Sequence, residues 1–242
     1  MEGPSIHNLE KKLQIFLKEK ISDAFGNAKF NKEELIGQTL KDIYAFGKKL
    51  IIQLDEHVLV CHFLMYGSYR IDEERENRVP RLALITKQHS LFFYNCSIKC
   101  EKMHNMKEKL ALEYDILSEN WNIRKIISDI KNNPLETIDD ILLDQEIFAG
   151  VGNIIKNEAL ALSYLKPQKK VARLSDKKIT ELAQNARNFS QTFFKFYNNW
   201  PLFKKEFLVY GRKNCARCNS KIIRKQTGKR NRRSFFCPQC QK

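Results

Sequence analysis

Four cysteines near the end of the sequence have the types and spacing that most plainly imply chemistry. Cys215 and Cys218, then Cys237 and Cys240, form two Cys-x2-Cys pairs separated by eighteen residues, the pattern of a four-thiolate metal site. Thiolate softness selects zinc, here one structural ion. In such modules the metal-binding free energy, roughly 10–16 kcal/mol, is also folding free energy, so this stretch is expected to be a folded module. Residues 211–242 also hold eleven Lys or Arg and no Asp or Glu, against a formal charge of +15 for the whole chain. Charge of one sign on a rigid hairpin suits a polyanion, and nucleic acid is the expected partner. Gly211, Thr227 and Gly228 supply the turns of that hairpin.

A second stretch, Ala149-Gly150-Val151-Gly152-Asn153, superficially resembles a dinucleotide-binding loop. It lacks the third glycine, and Ile141–Phe148 before it reads as helix rather than parallel strand, which excludes that assignment. A glycine turn feeding a helix over Ile154–Leu162 would offer backbone N–H groups and the Asn153 amide to a phosphate. The same residues equally suit a plain helix–helix turn.

The remaining pattern supplies the elements that must position these groups. The chain has 242 residues, 43% of them hydrophobic, enough for one large or two modest domains beside the metal module. No run of eighteen apolar residues occurs, and Met-Glu-Gly-Pro-Ser is not the start of a signal peptide. The expected setting is therefore a reducing bacterial cytoplasm, with the protein drawn to the nucleoid through DNA and not to a membrane. Cys61, Cys96 and Cys100 are expected to be buried thiols.

After Pro4, Leu9, Leu13, Phe16 and Leu17 recur at helical spacing. Short β-rich runs follow at Lys49–Leu54, His57–Phe63, Leu82–Thr86 and Leu91–Tyr94, which predicts an antiparallel sandwich or barrel. Trp121–Lys131 reads as helix ended by Asn132-Asn133-Pro134, and the chain from there to Tyr197 reads as helical. Ser175 is a candidate N-cap, with Leu174 and Ile179 stapled across it. The stripe Ile179, Leu182, Ala186, Phe189, Phe193, Phe196 is expected to be core.

Four separated motifs resemble, in order and across essentially the whole chain, the formamidopyrimidine-DNA glycosylase and endonuclease VIII family. They are Glu2-Gly3-Pro4; Gly47-Lys48 before a strand; Leu143-Asp144-Gln145 with Ala149-Gly150-Val151-Gly152-Asn153-Ile154; and the hairpin from Arg232-Arg233 to Cys240. The resemblance implies an α+β fold: an N-terminal β-sandwich catalytic domain with a flanking helix (1–117), a helix-two-turns-helix domain (118–210) and a C-terminal zinc-finger hairpin (211–242). It implies a base-excision glycosylase with abasic-site lyase activity by β/δ-elimination, acting on DNA that carries an oxidised base or abasic site; a monomer is expected, because a clamp around DNA needs no twofold partner.

The residues it assigns follow one by one. The terminal amine attacks the sugar, and an α-amine, with a reference pKa of about 7.7–8.0, is unprotonated in roughly a tenth or more of molecules at neutral pH. Glu2 matches the acid that moves protons. Lys48 matches a phosphate-clamping lysine that also donates a proton in elimination. Asn153 and Arg232 match phosphate contacts; Arg233 stands where many relatives carry a smaller residue and is expected to add a second contact; and Met65 matches the side chain that wedges into the stack as the base leaves.

Three departures stand out. Most relatives carry proline at the nucleophile position, whereas the alignment places Met1 there, and methionine before Glu is expected to be retained. Ser5 stands where many relatives have Glu. No arginine and phenylalanine pair occurs in Phe93-Tyr94-Asn95-Cys96-Ser97, which draws the chain toward the endonuclease VIII branch. The Met1 departure motivates an alternative, a damage-binding protein with little turnover.

Overall fold

The computed structural model describes residues 1–103 and 105–242. The chain divides into two compact units, one of Met1 with 5–110 and one of 2–4 with 111–242.

The first unit is built on alternating apolar residues. Strands β1 (Asp23–Phe25), β2 (Asp42–Phe46), β3 (Lys49–Gln53), β4 (His57–Ile71), β5 (Leu82–Ile85) and β6 (Ser90–Lys102) form one antiparallel sheet ordered β1-β5-β6-β4-β3-β2. Its inward residues, among them Leu50, Ile52, Leu59, Cys61, Leu84 and Phe93, pack with Ile6, Leu9 and Leu13 of helix α1 (Gly3–Leu13). That apolar face is the larger of two; on the other, Ile51 and Val58 pack with Met103, Met106 and Leu110. Burial pushes the Cys96 thiol up to about 12 and Cys61 well above the ordinary range. Both are inert core thiols, as expected.

Two strands run further than their patterns predict. β4 and β6 pair from His57↔Lys102 to Phe63↔Cys96, slip, and resume from Ser68↔Tyr94 to Ile71↔Leu91. Alternation breaks at the slip, so the sequence pattern ended the first strand at Phe63 although the chain re-enters the ladder five residues later. β1 and β2 were also absent from the expected set; β1 is three residues long, below the length at which period-two patterning can be read.

The second unit is helical, with a terminal hairpin. Helices α2 (Ile123–Lys131), α3 (Ile138–Leu142), α4 (Asn153–Leu162), α5 (Asp176–Phe196) and α6 (Trp200–Phe203) share a core of Ile126, Leu142, Phe148, Ile155, Leu182, Phe193 and Phe203. Asn122 caps α2 by accepting from Arg124 and Lys125 N–H, and Ser175 caps α5 by accepting from Lys178 N–H. Helix does not continue over Ile141–Phe148 as the pattern predicted. α3 stops at Leu142, because Gln145 closes a turn: Nε2 donates to Leu143 O and Val151 O, and Oε1 accepts from Gly150 N–H. Strands β7 (Ile223–Thr227) and β8 (Arg232–Phe236) form the terminal hairpin, turning at Gly228. No helix among the described residues is long and apolar enough to cross a membrane.

Candidate functional site

α4 is the spine of the second unit, and it buries polar residues in the middle of a helix: Lys156, Asn157 and Glu158 are all inaccessible to solvent. Buried polar groups persist only when bonded, and between them these three bind two distant segments, 208–210 and β8. The Glu158 carboxylate accepts from the N–H groups of Leu208, Val209 and Tyr210 at 2.6, 3.1 and 2.7 Å. Asn157 Oδ1 accepts from Phe235 N–H at 2.8 Å, and Lys156 Nζ donates to Ser234 Oγ at 2.8 Å. Asn153 Nδ2 donates to Arg233 O at 2.9 Å, while its Oδ1 is buried without a recorded partner. Four positions on one helix thus fix the start of β8 and the approach to the hairpin.

The N-terminus of α4 has no side-chain cap of its own; Gly152 occupies the N-cap position. Its orphan N–H groups are satisfied from the other end of the sequence. Glu2 accepts from Gly152 N–H at 3.2 Å, Ile154 N–H at 2.7 Å and Ile155 N–H at 3.3 Å. An anionic carboxylate at a helix N-terminus gains up to about 2 kcal/mol from the dipole in partly buried geometry, beyond the bonds themselves. The N–H groups predicted for a phosphate are therefore occupied by an internal carboxylate. Two glycines make room for it. A Cβ on Gly152 would collide with the Glu2 carboxyl, and one on Gly3 would lie 2.8 Å from Gly150 Cα. Gly3 N–H also donates to Gly150 O at 2.8 Å.

Around this cradle the second unit gathers the matched positive residues. The Tyr210 phenol is pushed up, first by burial and then by the negative charge of Glu2; a bond from Asn153 and the charges of Arg232 and Arg233 act the other way. Those five groups are therefore near neighbours. Tyr210 was not singled out in the sequence, where one tyrosine among eight carries no signal. Arg232 and Arg233 open β8 with exposed side chains.

The first unit holds the other matched residues. Lys48 lies in the turn between β2 and β3, where Gly47 has φ +55°. Lys48 O lies 3.2 Å from His62 Nδ1. The His62 ring is held below its ordinary value by partial burial, partly offset by that bond; the charges of Lys48, the Met1 amine and Lys49 lower it further. Lys48, His62 and the terminal amine therefore form one local group. His62 is a second residue that sequence reading passed over. Met65 is 65% exposed at the slip in β4, flanked by exposed Leu64 and Tyr66, with Asn95 Nδ2 donating to Met65 O at 2.5 Å.

The four cysteines converge, with all Sγ atoms within 4.8 Å of one another. Cys218 and Cys237 Sγ are 3.4 Å apart, and Cys215 and Cys240 Sγ 3.9 Å. Ligand bonds of about 2.3 Å give a tetrahedron with edges of about 3.8 Å, so the cluster could hold a metal ion with little adjustment. Arg217 N–H points to Cys215 Sγ and Cys240 N–H to Cys237 Sγ, each at 3.4 Å, which favours sulfur as thiolate.

Comparison with known proteins agrees with this geometry. Residues 4–98 match the formamidopyrimidine-DNA glycosylase N-terminal domain family, and residues 112–192 match the formamidopyrimidine-DNA glycosylase H2TH domain family. A formamidopyrimidine-DNA glycosylase of Bartonella quintana is 30% identical, over 87% of this chain and 86% of its own. Endonuclease 8-like 3 of Mus musculus is 35% identical over 85% of this chain; the chain spans about a third of the length of the endonuclease 8-like relatives it matches, 35% in this case. Among solved structures, Lactococcus lactis formamidopyrimidine-DNA glycosylase, non-covalently bound to DNA containing an abasic site, superimposes over 100% of both chains at TM-score 0.87 and 23% identity. A viral DNA glycosylase does so at 0.85 and 23%. At that identity the structural likeness speaks for the fold alone.

Proposed function

The chain belongs to the formamidopyrimidine-DNA glycosylase family, and we propose that it is a base-excision DNA glycosylase that also cleaves DNA at abasic sites. The observation that carries this is the Glu2 cradle: three backbone N–H groups hold the carboxylate of the residue peptide-bonded to Met1. A preorganised acid adjacent to a primary amine is the minimum equipment for imine chemistry at a sugar carbon.

With Met1 as the terminal residue, its neutral amine attacks C1′ of the damaged nucleotide. The N–C1′ bond forms, the glycosidic bond breaks, and the base leaves with a proton. Glu2 shuttles protons as the sugar ring opens to an iminium. Loss of a C2′ proton then expels the 3′-phosphate, and water hydrolyses the imine to regenerate the amine. Lys48 binds phosphate and supplies a proton in the elimination, Arg232 and Arg233 bind phosphates flanking the lesion, and Asn153 does so from the start of α4. Met65 fills the gap left by the departing base. Oxidised bases are the proposed substrates.

Zinc is the proposed ion of the Cys215, Cys218, Cys237 and Cys240 cluster; bound there, it supplies no chemistry and folds the hairpin that carries Arg232. Elemental analysis finding about one zinc per chain supports this, and a metal-free folded hairpin contradicts it.

The activity is tested with untagged protein, an oligonucleotide bearing one abasic site, and borohydride. A covalent adduct and strand cleavage are expected. Tight binding with neither would favour the alternative, a damage-binding protein, which the Met1 nucleophile position motivates.

A further inference from the structure

Lys156 has no place in the chemistry above, and its position is unusual. It is 0% exposed, in a chain whose 43 Lys and Arg could almost all reach water, and lysine is among the residues least often fully buried. Its ammonium donates to Ser234 Oγ at 2.8 Å. Ser234 and Thr227 share a hydroxyl–hydroxyl bond of 2.5 Å, and Thr227 Oγ1 donates to Asp139 Oδ2 at 2.5 Å. Since the Thr227 proton goes to the carboxylate, the Ser234 proton must go to Thr227. The chain is therefore directed, Lys156 to Ser234 to Thr227 to Asp139, and it crosses both hairpin strands.

The charged groups facing the ammonium come from every element around it. In order of effect they are Asp139 from α3, Arg232 from β8, Asp140 from α3 and Glu2 from the terminus. Asp140 also accepts from Lys229 and Arg230 N–H at 2.8 and 3.2 Å, fixing the hairpin turn. Thr137 Oγ1 donates to Asp139 Oδ1 at 2.7 Å, which leaves Asp139 an acceptor only.

We propose that Lys156 is a positioning residue and proton-linked charge for phosphate binding: it ties α4 to β8 behind Arg232 and Asn153, and takes up a proton when a DNA phosphate binds there. This rests on the DNA-binding part of the proposed function, not on its covalent step. Burial is the first cause that lowers the ammonium, to about 8, with Arg232 adding to the lowering and Asp139, Asp140 and Glu2 opposing it. A phosphate on Arg232 adds negative charge to that balance and favours the protonated form, so binding and protonation are coupled reciprocally.

The test is equilibrium binding of a non-cleavable abasic-analogue duplex from pH 6.5 to 9.5, using wild type, Lys156→Met and Lys156→Arg. Wild-type affinity is expected to fall about fourfold more than that of Lys156→Met between pH 7.5 and 9, the part of a tenfold linkage, one pKa unit of coupling, that this window spans. Subtracting the Lys156→Met curve removes the other groups that titrate in this window. Lys156→Arg, whose guanidinium keeps its proton, should hold the tighter plateau without the alkaline fall. Lys156→Met leaves the buried Asp139 carboxylate without its nearby cation and should melt below the wild-type Tm while retaining its metal. A merely structural lysine would lower Tm in the same way but leave the pH profile unmoved. Parallel profiles for wild type and Lys156→Met, with both proteins folded, overturn this inference alone. Failure of wild type itself to bind overturns the DNA-binding assignment, and this inference with it.

Discussion

The two compact units fix their side chains by opposite means. In the first, Lys48 and Met65 ride on turns and slips of a sheet whose interior is apolar, so they are held by backbone shape and a few local bonds. In the second, Glu2, Lys156 and Glu158 are held by the backbone N–H groups or hydroxyls of segments far away in sequence. A turn can carry a group that must move with a substrate. A buried polar network fixes its members, and losing one partner leaves another unsatisfied. Substitutions in the second unit should therefore cost more, and in more than one property at once.

The largest expected effect is on the hairpin. Cys237→Ser, or chelation of the metal, should unfold residues 215–240 and abolish detectable duplex binding, because the metal provides on the order of 10 kcal/mol of local folding free energy; circular dichroism and gel-shift titration read both losses. Glu2→Gln comes next. It keeps much of the cradle's shape but removes the proton shuttle, so borohydride trapping should slow by about 10²–10⁴-fold while affinity changes little. Glu158→Gln should lower stability by about 1–3 kcal/mol, since an amide N–H then faces a backbone donor, with a Tm drop of roughly 2–4 °C per kcal/mol for a chain of this size. Arg232→Ala should reduce the slope of log affinity against log salt by about one. The smallest effect belongs to the sheet unit: Met65→Ala should leave Tm unchanged, because the side chain is exposed, and weaken only complexes in which a base has left the stack. If Met65→Ala lowered Tm as much as Glu158→Gln, the contrast between the units would fail.

Much of this was legible in the sequence, for definite physical reasons. The cysteine spacing marked the cluster of four converging thiols, and Ser175 marked the start of α5. What stayed hidden depends on long-range pairing. Nothing near Gly152 tells that its N–H groups serve a carboxylate 150 residues earlier. Lys156 reads as one more base in a basic chain until Ser234 and Asp139 are brought beside it. β4 resumes after Phe63 only because β6 offers it a second register, and Gln145 ends α3 by a side-chain clamp that no periodicity records.

The most direct test of the central claim, that the Met1-Glu2 dipeptide is the reactive centre, is to map the borohydride-reduced adduct with abasic DNA by proteolysis and mass spectrometry. The account predicts a sugar fragment on the α-amine of Met1, with Met1 retained and unblocked. An adduct on Lys48, or on any other side-chain amine, with the Met1 amine free, would contradict it.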